Sequence, residues 1–233
     1  MTTGNLTSWT LAVLICCTGC SEVQREPVKN GISTESLFLE YQVWGDEERA
    51  YVTALLQLRQ KNNKGKTVKL DPPGFVELDG EVLLADSSRM TGFFYEIQKP
   101  LEGFAGKHKI TVQDENKDQV SEEFEYPHFS LTTSIKGRVK KKAMQLTLSG
   151  LKKEDRVRII LVDTVFSTPD INELVPVING RLQLTQELLQ DVKTGPVTLL
   201  LFKEEDRRIG NPAVKGGRIA ITYGIKREFD LVP

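Results

Sequence analysis

The chain has 233 residues, with 31 Lys plus Arg against 32 Asp plus Glu and a formal net charge of −1. There is no basic excess of the kind that nucleic-acid binding requires, so no nucleic-acid partner is predicted. Hydrophobic residues make up 39% of the chain, which is enough for one or two globular domains of ordinary size.

The chain begins with a segment that is typical of a secretory signal. Residues 1–19 contain no Asp, Glu, Lys or Arg. The apolar run from Trp9 to Cys17 is too short for a membrane span, which needs about 20 apolar residues. It fits the apolar region of a signal peptide, which is followed by small residues, here Thr18 and Gly19. We therefore predict a cleaved signal over residues 1–19.

The four residues Cys17-Thr18-Gly19-Cys20 resemble the lipobox of bacterial lipoproteins. The resemblance implies cleavage before Cys20 and acylation of its thiol and new amino group. It therefore implies a bacterial cell-envelope protein that is lipid-anchored, with the outer membrane as the expected location. Ser21-Glu22 resembles the serine-plus-acidic context of surface lipoproteins in the Bacteroidota. An ordinary cleaved signal or anchor is the alternative.

The three cysteines of the chain are Cys16, Cys17 and Cys20. A metal site is not predicted, because no His or further Cys stands nearby to complete four-coordination. A disulfide would leave one cysteine over. After cleavage only Cys20 remains, so the folded part is expected to have no thiol nucleophile and no cofactor is predicted. Residues 20–36 are polar and are predicted to form a tether.

Alternation of apolar and polar residues with period two dominates the chain after residue 36 and predicts β-strands. About eight short strands are expected before Tyr126. Asp79-Gly80 between two apolar runs is the strongest hairpin signal, because a type I′ turn needs positive φ at both central residues. The last hairpin, which ends in Glu123-Phe124-Glu125-Tyr126, is similar to the closing hairpin of bacterial immunoglobulin-like domains.

A second series of alternating segments follows Pro127. It contains one helical turn with Thr185 in the N-cap position and an apolar segment, residues 196–203, that is expected to be a central strand. The fold class predicted is all-β, with two tandem immunoglobulin-like β-sandwich domains. The predicted divisions are residues 1–19 for the signal peptide, 20–36 for the tether, 37–127 for the first sandwich and 128–233 for the second. A single large sandwich is the alternative.

No catalytic residue is predicted. A Ser-His-Asp triad would need His108 or His128, and the chain has no G-x-S-x-G motif for either to serve. Carboxylates are plentiful on or beside strands and are read as solvated faces. A carboxylate-dependent hydrolase acting on polysaccharide is the alternative function, since two carboxylates suffice for that chemistry.

Three further segments are candidates for binding. Asp114, Asn116 and Asp118 have the spacing of a calcium loop, although Gln119 stands where that loop needs glycine, so a plain hairpin is favoured and no metal is predicted. The basic segment 136–142 is a candidate for contact with anionic lipid or polysaccharide. Trp44 is the candidate glycan contact, because it shares the outward phase of its strand, and the consecutive aromatics Phe93, Phe94 and Tyr95 are a second aromatic candidate.

Together these features predict an envelope-anchored lipoprotein that acts as a non-catalytic binding or structural module. Its predicted partners are the membrane, through lipidated Cys20, and a glycan or another envelope protein.

Overall fold

The structure is a computed structural model that describes residues 1, 31–135, 137–165 and 170–233. The predicted signal peptide after Met1, Cys20, most of the predicted tether and Lys136 lie outside the described residues. In the described part, a single turn of 3₁₀-helix at Thr34–Ser36 leads directly into the first strand.

The N-terminal half contains nine strands. They are β1 (Leu37–Asp46), β2 (Tyr51–Gln60), β3 (Thr67–Val68), β4 (Phe75–Leu78), β5 (Glu81–Val82), β6 (Ala85–Ser88), β7 (Gly92–Pro100), β8 (Gly106–Gln113) and β9 (Gln119–Tyr126). The strand that sequence reasoning missed is β6, because its sequence, Ala-Asp-Ser-Ser, has no apolar alternation.

The C-terminal half adds eight strands and one short helix within the described residues. They are β10 (Ser130–Leu131), β11 (Arg138–Lys140), β12 (Met144–Ser149), β13 (Arg156–Asp163), β14 (Ile171–Pro176), β15 (Arg181–Leu184), α1 (Gln186–Leu189), β16 (Gly195–Arg208) and β17 (Gly216–Val232). The predicted cap of α1 is confirmed, since the Thr185 hydroxyl accepts from the Leu188 N–H at 3.1 Å. The all-β class is also confirmed.

The strands form one large sheet and two small ones. The large sheet has the order β14-β13-β16-β17-β1-β2-β7-β6, with β3 on β2 and β11 on β17. The small sheets are β5-β4-β8-β9 and β10-β12-β15. The predicted central strand is confirmed, because β16 lies between β13 and β17.

The first and last long strands of the chain are neighbours in the large sheet. β1 runs parallel to the first part of β17, with Phe38 opposite Gly216 and Asp46 opposite Gly224. The same edge of β17 is completed by β11, which pairs with Asp230–Val232. β17 therefore serves both halves of the chain, and the division into residues 37–127 and 128–233 stays a prediction.

Two hairpin turns have the backbone that their sequences predict. Asp79 and Gly80 have φ of 52° and 83°, and Asn179 and Gly180 have φ of 52° and 71°. Positive φ at both central residues is the requirement of a type I′ turn. The turns fix the register, so that Leu78 lies opposite Glu81 in the first hairpin.

Buried aromatic rings join the small sheets to the large one. Tyr126 on β9 makes an edge contact with Tyr223 on β17 at 6.2 Å between ring centroids, and Phe129 does the same at 5.4 Å. Gly45 permits this packing, because a Cβ there would stand 2.7 Å from the Tyr126 hydroxyl. Burial raises the pKa of Tyr223 to about 12 and that of Tyr126 further. These hydroxyls are therefore neutral at physiological pH.

The close approach of β1 and β17 gives a test of the parallel pairing. A Cβ at Gly217 would stand 2.6 Å from the carbonyl oxygen of Leu39 and 2.9 Å from a methyl carbon of Ile209. We expect Gly217→Ala to lower the free energy of unfolding by about 2 kcal/mol, because the strands must separate to admit the methyl group. Urea unfolding followed by circular dichroism measures the change.

Gly210→Ala is the matched control, since nothing lies within 4 Å of a Cβ at that position. It should shift the urea midpoint little. Equal effects of the two substitutions would contradict the pairing of β1 with β17.

Candidate binding face

The structure places Trp44 on the outer face of the large sheet. β1 alternates strictly, with Leu39, Tyr41 and Val43 buried on the inner face. Trp44 and Gln42 lie on the opposite face, where Gln42 is exposed and Trp44 is partly buried. The outward phase predicted for Trp44 is confirmed.

Polar side chains surround Trp44 on this face. The residues directly opposite it are Thr53 on β2 and Thr222 on β17. Beyond them lie Gln98 on β7 and Glu204 on β16. Directly opposed residues share one face of a sheet, so these five form a row across it. Four strand spacings of about 4.8 Å give the row a span of about 19 Å.

A second aromatic ring lies on the same face beside this row. Phe202 on β16 is opposite Gly224 on β17, and a Cβ at Gly224 would stand 2.7 Å from a carbon of the Phe202 ring. The ring therefore lies over the glycine, whose partner on β1 is Asp46. From strand spacing and rise, the Cα atoms of Trp44 and Phe202 are about 12 Å apart. We define the Trp44 face as Trp44, Phe202, Gln42, Gln98, Thr222 and Glu204.

Sequence reasoning missed Phe202, because it ends an apolar run that reads as core. The signal that could have found it is Gly224 in the middle of a long alternating strand, since glycine inside a strand often marks close approach of another group.

The three consecutive aromatic residues of β7 lie in three different environments. Tyr95 is in the core, where its hydroxyl accepts from the Leu70 N–H at 2.9 Å. Phe94 shares the outer face of the large sheet with Trp44 but lies near the far end of β7. Phe93 is 41% exposed at the start of that strand. These residues do not form a joint platform.

Both histidines pack against aromatic rings of the fold. The His108 ring stacks on Phe104 with 3.9 Å between centroids, and its nitrogens lie 2.7 Å from an Asp79 carboxylate oxygen and 2.6 Å from the Phe104 carbonyl oxygen. His128 lies against Tyr223 at 5.3 Å. It also borders a shallow cleft of about 520 Å³ with Glu47 and Glu102. Glu47 is engaged there by Arg227.

The hairpin that the sequence favours at Asp114–Asp118 is confirmed. Asp114 is fully buried in the turn between β8 and β9. One carboxylate oxygen accepts from the N–H groups of Asn116 and Asp118 at 2.8 and 2.9 Å, and the other accepts from the Thr34 N–H at 2.8 Å. Glu125, which would stand at position 12 of a calcium loop that begins at Asp114, lies at the far end of β9, about 20 Å away along the strand. It forms an ion pair with Lys152.

We expect Asp114→Ala to lower the free energy of unfolding by about 3 kcal/mol, because it leaves buried N–H groups without an acceptor. Added calcium should not shift the urea midpoint of the unsubstituted chain. Glu123→Ala, which removes an exposed carboxylate from the same hairpin, is the control. A calcium-dependent rise in the midpoint that Asp114→Ala abolishes would revive the metal site.

The described part of the basic segment lies at the far end of β17 from β1. Arg138 is opposite Asp230, whereas Phe38 is opposite Gly216. The intervening length of β17 is about 46 Å at the usual rise per residue. Lys141 uses its ammonium group within the fold, since it donates to the Gln190 carbonyl oxygen at 2.8 Å.

Across 31–135, 137–165 and 170–233, no three His, Cys, Asp or Glu side chains are grouped in a way that could hold a metal ion. The described helices are all too short to cross a membrane.

No protein-family model and no curated protein matches the chain. Among solved structures, it is similar to two immunoglobulin domains of DIP-gamma (11% identity, 81% of this chain and 94% of the other, TM-score 0.24). It is also similar to a bacterial ice-binding adhesin (11%, 85% and 66%, TM-score 0.22). A third match is the Bacteroides ovatus mixed-linkage glucan utilization locus protein SGBP-B (13%, 74% and 53%, TM-score 0.20). TM-scores at this level carry no argument about function.

Proposed function

We propose that this chain is a lipid-anchored, non-catalytic binding module of the bacterial envelope whose Trp44 face contacts a glycan. The observation that carries the proposal is the pair of partly exposed aromatic rings, Trp44 and Phe202, on the outer face of the large sheet. Sugar rings stack on flat aromatic faces, and their hydroxyl groups bond to amides and carboxylates. Gln42, Gln98 and Glu204 supply such groups beside the rings.

The shape of the face suits an extended ligand. The Trp44 face is one side of a β-sheet, whereas small-molecule sites are concave and bury most of their ligand. The row through Trp44 spans about 19 Å from Gln98 to Glu204, measured in strand spacings. The ligand class that fits is therefore an oligosaccharide or polysaccharide segment.

The arrangement of carboxylates does not favour the alternative hydrolase. Glycoside hydrolysis needs two carboxyl groups about 5–10 Å apart across the scissile bond. On the Trp44 side of the sheet, Glu204 and Asp206 stand two residues apart on β16, about 7 Å along the strand, so their separation alone does not decide the matter. Both carboxylates are engaged by arginines, and Glu204 is paired with Arg158 at 2.8 Å.

Asp206, on the same face, is held by Arg218. The hydrogen bonds from that guanidinium hold the pKa of the Asp206 carboxyl below its usual range. It is therefore poorly suited to act as a general acid.

Trp44→Ala tests the binding face. We expect it to weaken glycan binding about 30-fold, since removing a central aromatic anchor commonly costs about 2 kcal/mol. Affinity electrophoresis of the mature chain through gels that contain a mixed-linkage β-glucan, a xylan or a mannan measures binding as retardation.

Phe93→Ala is the matched control, because Phe93 is exposed but lies away from the Trp44 face. It should leave retardation unchanged. Retardation that survives Trp44→Ala, or is lost with Phe93→Ala alone, would contradict the assignment of the face.

Cys20→Ala tests the anchor separately. We expect it to move the chain from the membrane pellet to the soluble fraction after cell lysis, because no other cysteine is retained after cleavage. Cys16→Ala is the control and should stay in the pellet, as that residue is removed with the signal. An unchanged pellet fraction of Cys20→Ala would count against lipidation.

A further inference from the structure

The end of the large sheet at which the chain runs into β1 carries a group of exposed cations. They come from three separate segments: the loop after β2, the end of β16 and the residue before β17. The members of this group, which we call the cationic pole, are Lys61, Lys64, Lys66, Arg208 and Lys215.

The parallel pairing of β1 and β17 assembles the cationic pole around the start of β1. The Lys61 N–H donates to the Ser36 carbonyl oxygen at 2.8 Å, and the Lys215 N–H donates to the Leu37 carbonyl oxygen at 2.8 Å. The two lysines therefore flank the incoming chain on both sides. Arg208 and Lys215 also line a recess of about 640 Å³ with Asn63 from the loop after β2.

The charges of the cationic pole are not neutralised by neighbouring carboxylates. Each of its five side chains is exposed, and none makes an ion pair within the described residues. Of the carboxylates close by, Glu40 binds Arg59, Asp206 binds Arg218 and Glu122 binds Arg207. Glu35, in the 3₁₀ turn before β1, is the acidic residue nearest to Lys61 in the chain path, and it too is engaged.

On the other side of the incoming chain, the turn between β8 and β9 fixes the last residues before β1. Glu115 accepts from the Ile32 N–H at 3.1 Å, and Asp114 accepts from the Thr34 N–H. From Cys20 to Ile32 the chain can extend at most about 42 Å. An anchor at Cys20 thus keeps the cationic pole near the membrane. The basic segment at β11 is about 46 Å farther along β17.

We propose that the cationic pole docks on the anionic lipid headgroups of the membrane that holds the acyl anchor. The proposal rests on the proposed anchoring through Cys20. Each Lys or Arg near an anionic bilayer contributes about fivefold to binding. Docking at this end directs the strands of the large sheet away from the bilayer. The Trp44 face then stands roughly perpendicular to the membrane, open to ligands from the side.

The test uses the unlipidated chain from Cys20 to Pro233 with Cys20→Ser, which keeps every described residue of the fold. It is sedimented with vesicles of phosphatidylcholine alone or of phosphatidylcholine and phosphatidylglycerol in equal parts, at low salt. Lys64→Glu, Arg208→Glu and Lys215→Glu are combined in one variant. Arg138→Glu, Lys140→Glu and Lys142→Glu are combined in the matched control, which changes one Arg and two Lys at the opposite end.

We expect the unsubstituted chain to bind only the anionic vesicles and the pole variant to bind at least about 100-fold more weakly, from three contributions of about fivefold. The control should bind within about threefold of the unsubstituted chain, and salt should abolish binding. A second pole variant with Gln at the same three positions should bind more weakly than the unsubstituted chain and more tightly than the Glu variant. The urea midpoint of each variant shows whether it is folded.

The proposal is overturned if the unsubstituted chain does not bind anionic vesicles or binds neutral vesicles equally well. It is also overturned if the control substitutions weaken binding as much as the pole substitutions do. Because the chain in this assay is not acylated, these outcomes do not depend on lipidation. Failure of anchoring appears instead as an unchanged pellet with Cys20→Ala, and failure of glycan binding appears in the Trp44→Ala comparison.

Discussion

The parallel pairing of β1 with the first part of β17 is the constraint on which the rest of the structure depends. β16 and β17 form one uninterrupted hairpin, from Gly195 opposite Leu231 to Arg208 opposite Arg218. β1 occupies one edge of β17 near its start, and β11 occupies the same edge near its end. Because β17 pairs with strands from both halves of the chain, a bend in β17 would break backbone hydrogen bonds of the sheet. The ring of Tyr223 on β17 also contacts Tyr126 and Phe129, which lie where the first half of the chain meets the second.

This continuity fixes the relative positions of the start of β1, the Trp44 face and β11. The chain arrives at one end of a hairpin that is about 50 Å long at the usual strand rise. The Trp44 face lies on the outer face of the sheet, and β11 lies at the other end of the hairpin. In the proposed function this separation matters, because an acyl anchor at one end of the hairpin and a glycan on the Trp44 face would not compete for the same surface.

Alternation along the sequence predicts which residues face the core, and here it did so for β1, β8, β9 and β17. The turn residues Asp79-Gly80 and Asn179-Gly180 were equally informative, since positive φ limits the choice of residue. Neither signal says which strand lies beside which. The pairing of β1 with β17 joins residues nearly 180 positions apart in the chain, and no local pattern encodes it. The position of Phe202, two strands from Trp44 on the same face, follows from that pairing, whereas in the sequence Phe202 only ends an apolar run that reads as core.

The distribution of basic residues illustrates the same limit. Residues 136–142 stand out in the sequence because their charges are adjacent along the chain. An anionic surface responds instead to charges that are adjacent in space, within a screening length of about 8 Å at physiological salt. Lys61 is far from Arg208 and Lys215 in sequence, yet the hydrogen bonds of Lys61 and Lys215 to Ser36 and Leu37 bring these two lysines together at the start of β1. If the chain is anchored through Cys20 as proposed, the anchor reaches the fold through that same segment. Position relative to the start of β1, and not local charge density, would then decide which basic group meets the membrane.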